Sequence, residues 1–166
     1  MKAVIQRVKN ASVMVVDEED QARRPAGAPS GRVSGRIDAG LLVYLGVAQG
    51  DTEEDARCLA EKITFLRIFE DEEGKKNRSV LDSGGGVLVV SQFTLLADAR
   101  KGRRPYYGNA ADSETAKALY EYFIERIRKA GLLCESGVFQ AHMEVASVNY
   151  GPITILLDSK ELKRIS

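Results

Sequence analysis

Residues 84–90 read Gly-Gly-Gly-Val-Leu-Val-Val and run directly into Ser91, Gln92, Phe93 and Thr94. An apolar run this short, bounded by glycine and rich in β-branched residues, is more typical of a strand covered on both faces than of a helix. Side chains alternate along a strand, so Ser91 and Phe93 would share one face. The pattern predicts a central buried strand. The polar residues at its end, taken alone, favour a turn that satisfies its own backbone, with a candidate site as the alternative.

Two amphipathic segments predict helices. Asp51 is placed to cap the first helix, and Glu54 three residues later completes a capping-box pattern. Asp112 caps the second helix, which Gly131 ends. The apolar positions recur at helical spacing and indicate core faces: Ala56, Leu59, Ala60, Ile63 and Leu66 in the first helix, and Ala116, Leu119, Phe123, Ile127 and Ala130 in the second.

The remaining apolar stretches are β-rich. They cover residues 1–8, 11–16, 32–37, 40–47, 138–148 and 153–157, with a turn predicted at 149–152. A chain of 166 residues suits a single domain. We therefore expect one mixed α and β domain over residues 1–166, with two helices packed on one face of largely antiparallel sheets. Residues 17–31, interrupted by Pro25, Gly27, Pro29 and Gly31, predict a loop.

The composition limits the kinds of active site that this chain can form. His142 is the only histidine, and Cys58 and Cys134 belong to no metal-ligand spacing, so we expect no metal and no other cofactor. A conventional serine triad is equally hard to build from one histidine. The chain shows no signal peptide and no apolar run long enough for a bilayer, which predicts a cytoplasmic protein without membrane contact.

The most basic stretch of the chain follows the candidate strand end. Arg100, Lys101, Arg103 and Arg104 lie here and are followed by two tyrosines. The whole chain carries 24 basic and 24 acidic residues, so contact with nucleic acid would depend on a local patch of this kind. The stretch predicts phosphate contacts, and a solvated loop is the alternative.

Ser-Gln-Phe-Thr-Leu at residues 91–95, followed by Asn-Tyr-Gly-Pro-Ile-Thr at 149–154, resembles the D-aminoacyl-tRNA deacylase family. The resemblance extends in order over nearly the whole chain. It includes Ile5-Gln6-Arg7-Val8, Ala11-Ser12-Val13, Gly40-Leu41-Leu42-Val43, Leu45-Gly46-Val47, Arg67-Ile68-Phe69 and Gly137-Val138-Phe139. It implies a layered α/β/β fold, and it makes residues 17–31 an insertion at a hairpin tip.

The resemblance also implies a reaction: hydrolysis of the ester between tRNA and a D-amino acid, or glycine mischarged on tRNA-Ala. Ser91, Gln92, Phe93 and Thr94 would line the catalytic pocket, with backbone amides as donors to the oxyanion. A hydroxyl of the terminal ribose would assist. Whether Thr94 also acts as a nucleophile stays open, since no activating base is evident.

Gly151 and Pro152 would provide chiral selection. The resemblance implies a homodimer in which a cis Gly-Pro turn of one subunit enters the other's pocket and rejects L-aminoacyl-tRNA. Phe139 and Met143 would hold the terminal adenosine, and Arg100, Lys101, Arg103 and Arg104 would bind tRNA phosphates. Quality control of translation is the expected role.

The chain departs from the family pattern at Val138, Gln140, His142 and Tyr150, where many members carry arginine, glycine, aspartate and aspartate, respectively. Two alternatives therefore stay open. One is a non-catalytic module that binds the tRNA end. The other is an esterase for free D-amino-acid esters that needs no RNA.

Overall fold

Strand β1 pairs with three other strands of the main sheet. The computed structural model describes residues 1–16 and 31–163, so the expected loop 17–31 lies, except for Gly31, outside the described residues. The strands are β1 Lys2–Val15, β2 Arg32–Ile37, β3 Gly40–Gly46, β4 Phe69–Glu70, β5 Lys76–Arg78, β6 Gly86–Ser91, β7 Cys134–Ser136 and β8 Met143–Asp158. The helices are α1 Glu53–Thr64, α2 Val80–Ser83, α3 Ser113–Lys129 and α4 Ser159–Leu162, with a 3₁₀ turn at Phe93–Leu96.

The main sheet has the order β2-β1-β3-β6-β7, and β8 pairs with the other edge of β1. The pairs that involve β1 are antiparallel, but β3–β6 and β6–β7 are parallel. The expectation of largely antiparallel sheets is therefore only partly right. The parallel pairs follow from the connections, because α1 lies between β3 and β6 and α3 lies between β6 and β7, as parallel neighbours require.

The sheet curls until its ends nearly meet. A Cβ atom at Gly35 of β2 would lie 2.8 Å from the carbonyl oxygen of Ser136 in β7. The absence of a side chain at Gly35 thus permits the close approach of these two strands. The result is a nearly closed, barrel-like sheet in a single mixed α and β domain.

Alternation along the central strands gives the domain two apolar layers. Val87 and Val89 of β6 point to the layer that also contains α1 and α3, whereas Leu88 and Val90 point into the curled sheet. All four side chains are buried, which confirms the prediction of a central strand covered on both faces. The helices add Leu59, Ile63, Phe123 and Ile127 to the first layer.

The helix caps are partly as predicted. Asp112 accepts a hydrogen bond from the Thr115 amide and caps α3, which confirms that prediction. The cap predicted for α1 is wrong, because Thr52 is the N-cap and its amide donates to Asp55 at 3.0 Å. Asp51 instead pairs with the buried α-ammonium of Met1 at 2.8 Å.

Strand β8 runs through the segment predicted as a turn. Its register on β1 passes from Val8–Asn149 to Gln6–Thr154, so residues 150–153 form a wide bulge opposite Arg7. The Gly151–Pro152 peptide bond in this bulge is cis, the isomer that the resemblance implies. None of the helices in the described ranges has the length and apolarity needed to cross a membrane.

Candidate active site

A pocket of about 730 Å³ opens where the parallel strands β3 and β6 end. It brings Ser91, Gln92 and Phe93 together with Phe139 and Met143. The other lining residues come from β3, β6, β8, α3 and the segments next to them: Leu45, Val47, Val90, Ala110, Ala111, Ser113, Ala116, Tyr120, Gln140, Ala141, His142 and Val145. Two groups of residues that were predicted to share a site are thus brought together by the fold.

The chain changes conformation at the end of β6. The strand stops at Ser91, and a 3₁₀ turn begins at Phe93, so the alternation expected through Thr94 does not continue. The Gln92 amide still donates to the Leu45 carbonyl at 2.8 Å, which fixes the start of the turn against β3. A side chain at Gly46 would collide here, since its Cβ would lie 2.9 Å from the Gln92 carbonyl oxygen.

The turn leaves two backbone donors free. Phe93 and Thr94 are its first residues, and amides in the first turn of a helix have no partner within that helix. Among residues 1–16 and 31–163, neither amide donates to another backbone carbonyl outside the turn. These two amides can therefore donate to a developing negative charge, which is the chemistry of an oxyanion hole.

The Thr94 hydroxyl is held by its neighbour. The Gln92 side-chain amide donates to Thr94 Oγ1 at 2.5 Å. A donor on this oxygen occupies one of its lone pairs and lowers its nucleophilicity. Of the predicted residues 91–94, Thr94 is not among those that line the pocket, so its amide can take part only from next to Phe93, which does line it.

Tyr120 lines the pocket. From the sequence pattern it is predicted only to pack in the core as part of its helix. Its hydroxyl donates to the Val89 carbonyl at 2.9 Å, and burial raises its pKa well above the usual range. The hydroxyl therefore stays protonated at neutral pH and serves as a structural donor. The Tyr120 ring contacts Phe139, with the ring centroids 5.8 Å apart.

The opposite wall is built from residues 137–143. A Cβ at Gly137 would lie 2.7 Å from the Met143 sulfur, so glycine allows Met143 to approach. Gln140 adopts a positive φ of 63° and donates through its side chain to Ser113 Oγ at 2.5 Å. This contact joins the wall to the first residue of α3. Gln140 is one of the departures from the family pattern, whereas Ser113 is not predicted at the site, and no sequence signal links two residues so far apart.

The predicted phosphate-binding residues lie outside the pocket, on a loop closed by two backbone hydrogen bonds between Asp98 and Tyr106. Arg100 pairs with Asp98, and hydrogen bonds from Arg100 hold the pKa of that carboxyl well below its usual range. Lys101, Arg103 and Arg104 are exposed, and in the described parts of the chain they form no ion pair. Three cations therefore remain available to an anionic ligand.

Gly151 and Pro152 are exposed and do not line the pocket of their own chain. Arg7 holds the bulge in place, because its guanidinium donates to the Tyr150 carbonyl at 3.2 Å and to the Ile68 carbonyl at 2.8 Å.

Among the residues that the structure describes, no group of three or more His, Cys, Asp or Glu side chains could hold a metal ion.

Comparison with known proteins gives one consistent result. The profile of the family described as D-Tyr-tRNA(Tyr) deacylase matches residues 4–158. Proteins named D-aminoacyl-tRNA deacylase are 57% identical in Koribacter versatilis, over 97% of this chain and 99% of that protein, and 55% identical in Caldicellulosiruptor saccharolyticus, over 98% and 99%.

Two solved structures are also similar. One, described as c-Myc DNA Unwinding Element Binding Protein, has a TM-score of 0.81 at 39% identity and covers 95% of this chain and 98% of its own. The other, described as a probable eukaryotic D-amino acid tRNA deacylase, has a TM-score of 0.72 at 17% identity over the same shares. The second likeness shows the fold alone.

Proposed function

Because the chain belongs to the D-Tyr-tRNA(Tyr) deacylase family, we propose that it hydrolyses the ester bond between a D-amino acid and the 3′ end of tRNA. Relatives that are 50% to 57% identical over 99% of their length carry the name of this activity, so the chain is a hydrolase of carboxylic esters. The products are the free D-amino acid and tRNA. Glycine mischarged on tRNA-Ala is a second proposed substrate.

One observation carries the proposal: a single pocket joins the end of β6 to Phe139 and Met143. An aromatic face and a thioether suit a nucleobase, and the free amides of Phe93 and Thr94 suit an ester carbonyl. A ligand that carries both groups, separated by a ribose, is an aminoacylated adenosine. This is the 3′ end of every aminoacyl-tRNA.

The reaction needs little more than position and electrostatic stabilisation, because the ester is already activated. Water attacks the carbonyl carbon, and the Phe93 and Thr94 amides donate to the oxygen that becomes negative. The ester bond then breaks, and the ribose oxygen leaves with a proton. A neighbouring ribose hydroxyl can assist this proton transfer. With its hydroxyl oxygen held by Gln92, Thr94 contributes its amide.

Selection against L-amino acids is assigned to Gly151 and Pro152 of a second subunit. Both residues are exposed and do not line the pocket of their own chain, which leaves them accessible to a second subunit. Their carbonyl groups would hold the substrate amino group. An L side chain would then collide with backbone, whereas a D side chain or a glycine hydrogen would not. Discrimination of this kind is independent of the identity of the side chain.

This arrangement requires a homodimer with active sites at the interface. The support is strand β8, which in the described ranges pairs only with β1 and carries the exposed apolar side chains Val148, Tyr150 and Leu156, which are 48%, 44% and 77% exposed. Exposed apolar side chains on an edge strand mark an interaction surface. The proposed role is proofreading of aminoacyl-tRNA in the cytoplasm, with tRNA as the partner.

The proposal is tested by a pocket variant. We expect Phe139→Ala to lower kcat/KM for D-tyrosyl-tRNA by about tenfold to a hundredfold, because base stacking on an aromatic side chain contributes roughly 1–3 kcal/mol. Phe65→Ala, at an exposed phenylalanine at the end of α1, is the matched control and should leave the rate unchanged. Binding of tRNA without any turnover would contradict the proposal, and so would equal turnover of D-tyrosine methyl ester.

A further inference from the structure

An exposed aromatic pair stands at the rim of the pocket. The Phe93 ring is 59% exposed and meets the Tyr107 ring edge to face, with the centroids 5.2 Å apart. Phe93 lines the pocket, whereas Tyr107, which is 39% exposed, lies outside it. The proposed hydrolysis uses the Phe93 amide and leaves both rings without a role. Two large apolar rings facing solvent beside a substrate pocket are a candidate binding surface.

The pair also adjoins the free cations. Tyr107 directly follows Tyr106, whose backbone pairs with Asp98 and closes the basic loop. The loop closed in this way carries Lys101, Arg103 and Arg104, which form no ion pairs in the described ranges. Along the chain, the positive charges of this loop therefore lie just before Tyr107, whose ring contacts Phe93 at the pocket.

We propose that the Phe93–Tyr107 pair is a stacking site for the unpaired nucleotides that precede the terminal adenosine of the tRNA. This inference rests on the proposed function, because it assumes that the adenosine occupies the pocket. A single strand that leaves the pocket passes the rim, where its bases can stack on the rings, and its phosphates then meet the cations of the basic loop. Aromatic faces next to positive charge are the usual combination in proteins that bind single strands.

The chemistry of such a site fits a general deacylase. Stacking accepts any base because every base has a π face. The unpaired 3′ end is also common to all tRNAs, whatever their anticodon or stem sequence. A stacking site there would add affinity for RNA esters over nucleoside esters without restricting the enzyme to one tRNA.

The test compares two substrates that differ only in the upstream nucleotides: D-tyrosine esterified to adenosine, and D-tyrosine esterified to the trinucleotide CCA. In the unaltered enzyme the kcat/KM ratio of trinucleotide to adenosine ester should be well above one. We expect Tyr107→Leu and Phe93→Leu each to lower that ratio about tenfold, since they remove stacking surface. Tyr107→Phe should preserve the ratio, and so should Phe65→Leu, which changes an equally exposed ring away from the pocket.

The outcomes separate the two proposals. A fall in the ratio confined to the Tyr107→Leu and Phe93→Leu enzymes supports the stacking site. Two results overturn the stacking site and leave the deacylase activity standing. One is a ratio near one in the unaltered enzyme, and the other is an equal loss of kcat/KM on both substrates in the Tyr107→Leu enzyme. Failure to hydrolyse either ester or D-tyrosyl-tRNA would overturn the proposed function itself.

Discussion

At the scale of single residues, a substitution at Thr94 distinguishes catalysis by backbone amides from catalysis by a side-chain hydroxyl. Its hydroxyl oxygen accepts a hydrogen bond from Gln92, and its amide has no backbone acceptor among residues 1–16 and 31–163. We expect Thr94→Ala to keep kcat/KM for D-tyrosyl-tRNA within about tenfold of the original, because the substitution leaves the amide in place. Single-turnover deacylation measures this. A loss of about a thousandfold or more in a folded protein that still binds tRNA would assign the chemistry to the hydroxyl.

Asp51 gives a second prediction at this scale. Its carboxylate and the Met1 ammonium are both fully buried and lie 2.8 Å apart. Asp51→Ala leaves a buried cation without its counterion, so we expect it to lower the free energy of unfolding by about 3–5 kcal/mol. Ser159→Ala removes a neutral acceptor of the same ammonium and a donor to the Asp55 carboxylate but leaves the ion pair in place, so it should cost less, about 1–3 kcal/mol. Urea unfolding at one protein concentration compares them, and equal losses would contradict this assignment.

The same residues show what a sequence can reveal about local structure. A capping box was recognised before α1, but it was placed one residue too early, at Asp51 and Glu54 instead of Thr52 and Asp55. Both pairs satisfy the same spacing rule. The choice depends on Met1, whose buried ammonium is the partner of Asp51. No local pattern contains a contact between residues that are fifty positions apart.

At the scale of elements, the basic loop should control the salt dependence of tRNA binding. Arg103 and Arg104 are exposed and free of ion pairs in the described ranges, whereas Arg100 is paired with Asp98. Each phosphate contact on a single strand contributes about −0.7 to the slope of log K against log salt. We expect Arg103→Gln with Arg104→Gln to make the slope shallower by about 1.4 if both contact single-stranded phosphates. Fluorescence anisotropy with labelled tRNA measures the slope.

Arg100→Gln is the matched control for this loop. Its charge is already balanced by Asp98, so the slope should change little. If Arg100→Gln changed the slope as much as the double variant, the pair with Asp98 would have to open on binding. If neither altered it, the three arginines of the loop would have no part in tRNA binding.

The sheet shows where element-level prediction succeeded and where it failed. The β6 strand and its double burial followed from four consecutive aliphatic residues after glycine. The parallel pairing of β6 was missed, although strand, helix and strand alternate from residue 40 to residue 91, which is a signal for parallel neighbours. The sequence predicts a turn where β8 has its bulge, because glycine and proline occur in both.

At the scale of the whole molecule, activity should depend on assembly. Leu156 is 77% exposed on β8, the strand that carries Gly151 and Pro152. We expect Leu156→Arg to convert the proposed dimer to monomer, because a charge would be buried at the interface, and to abolish hydrolysis of D-tyrosyl-tRNA with it. Analytical ultracentrifugation and deacylation assays measure the two effects. Phe65→Arg is the control and should change neither. A fully active monomer would contradict selection across subunits.

The pocket itself could be anticipated only in part. Six lining residues are predicted from the sequence; the pocket contains Ser91, Gln92, Phe93, Phe139 and Met143, but Thr94 does not line it. Tyr120 and Ser113 of α3 are not predicted to line it, because helical spacing marks them only as part of a helix. Resemblance identifies residues within motifs. Neighbours brought in by packing become visible only once the fold is known.

The measurement that tests the central claim most directly is a deacylation time course on D-tyrosyl-tRNA, L-tyrosyl-tRNA and glycyl-tRNA under identical conditions. Backbone selection by Gly151 and Pro152 predicts rapid loss of the D-tyrosyl and glycyl esters while the L-tyrosyl ester persists. Equal hydrolysis of the D and L esters would contradict the selection. Persistence of all three esters, with tRNA still bound to a folded protein, would contradict the deacylase activity.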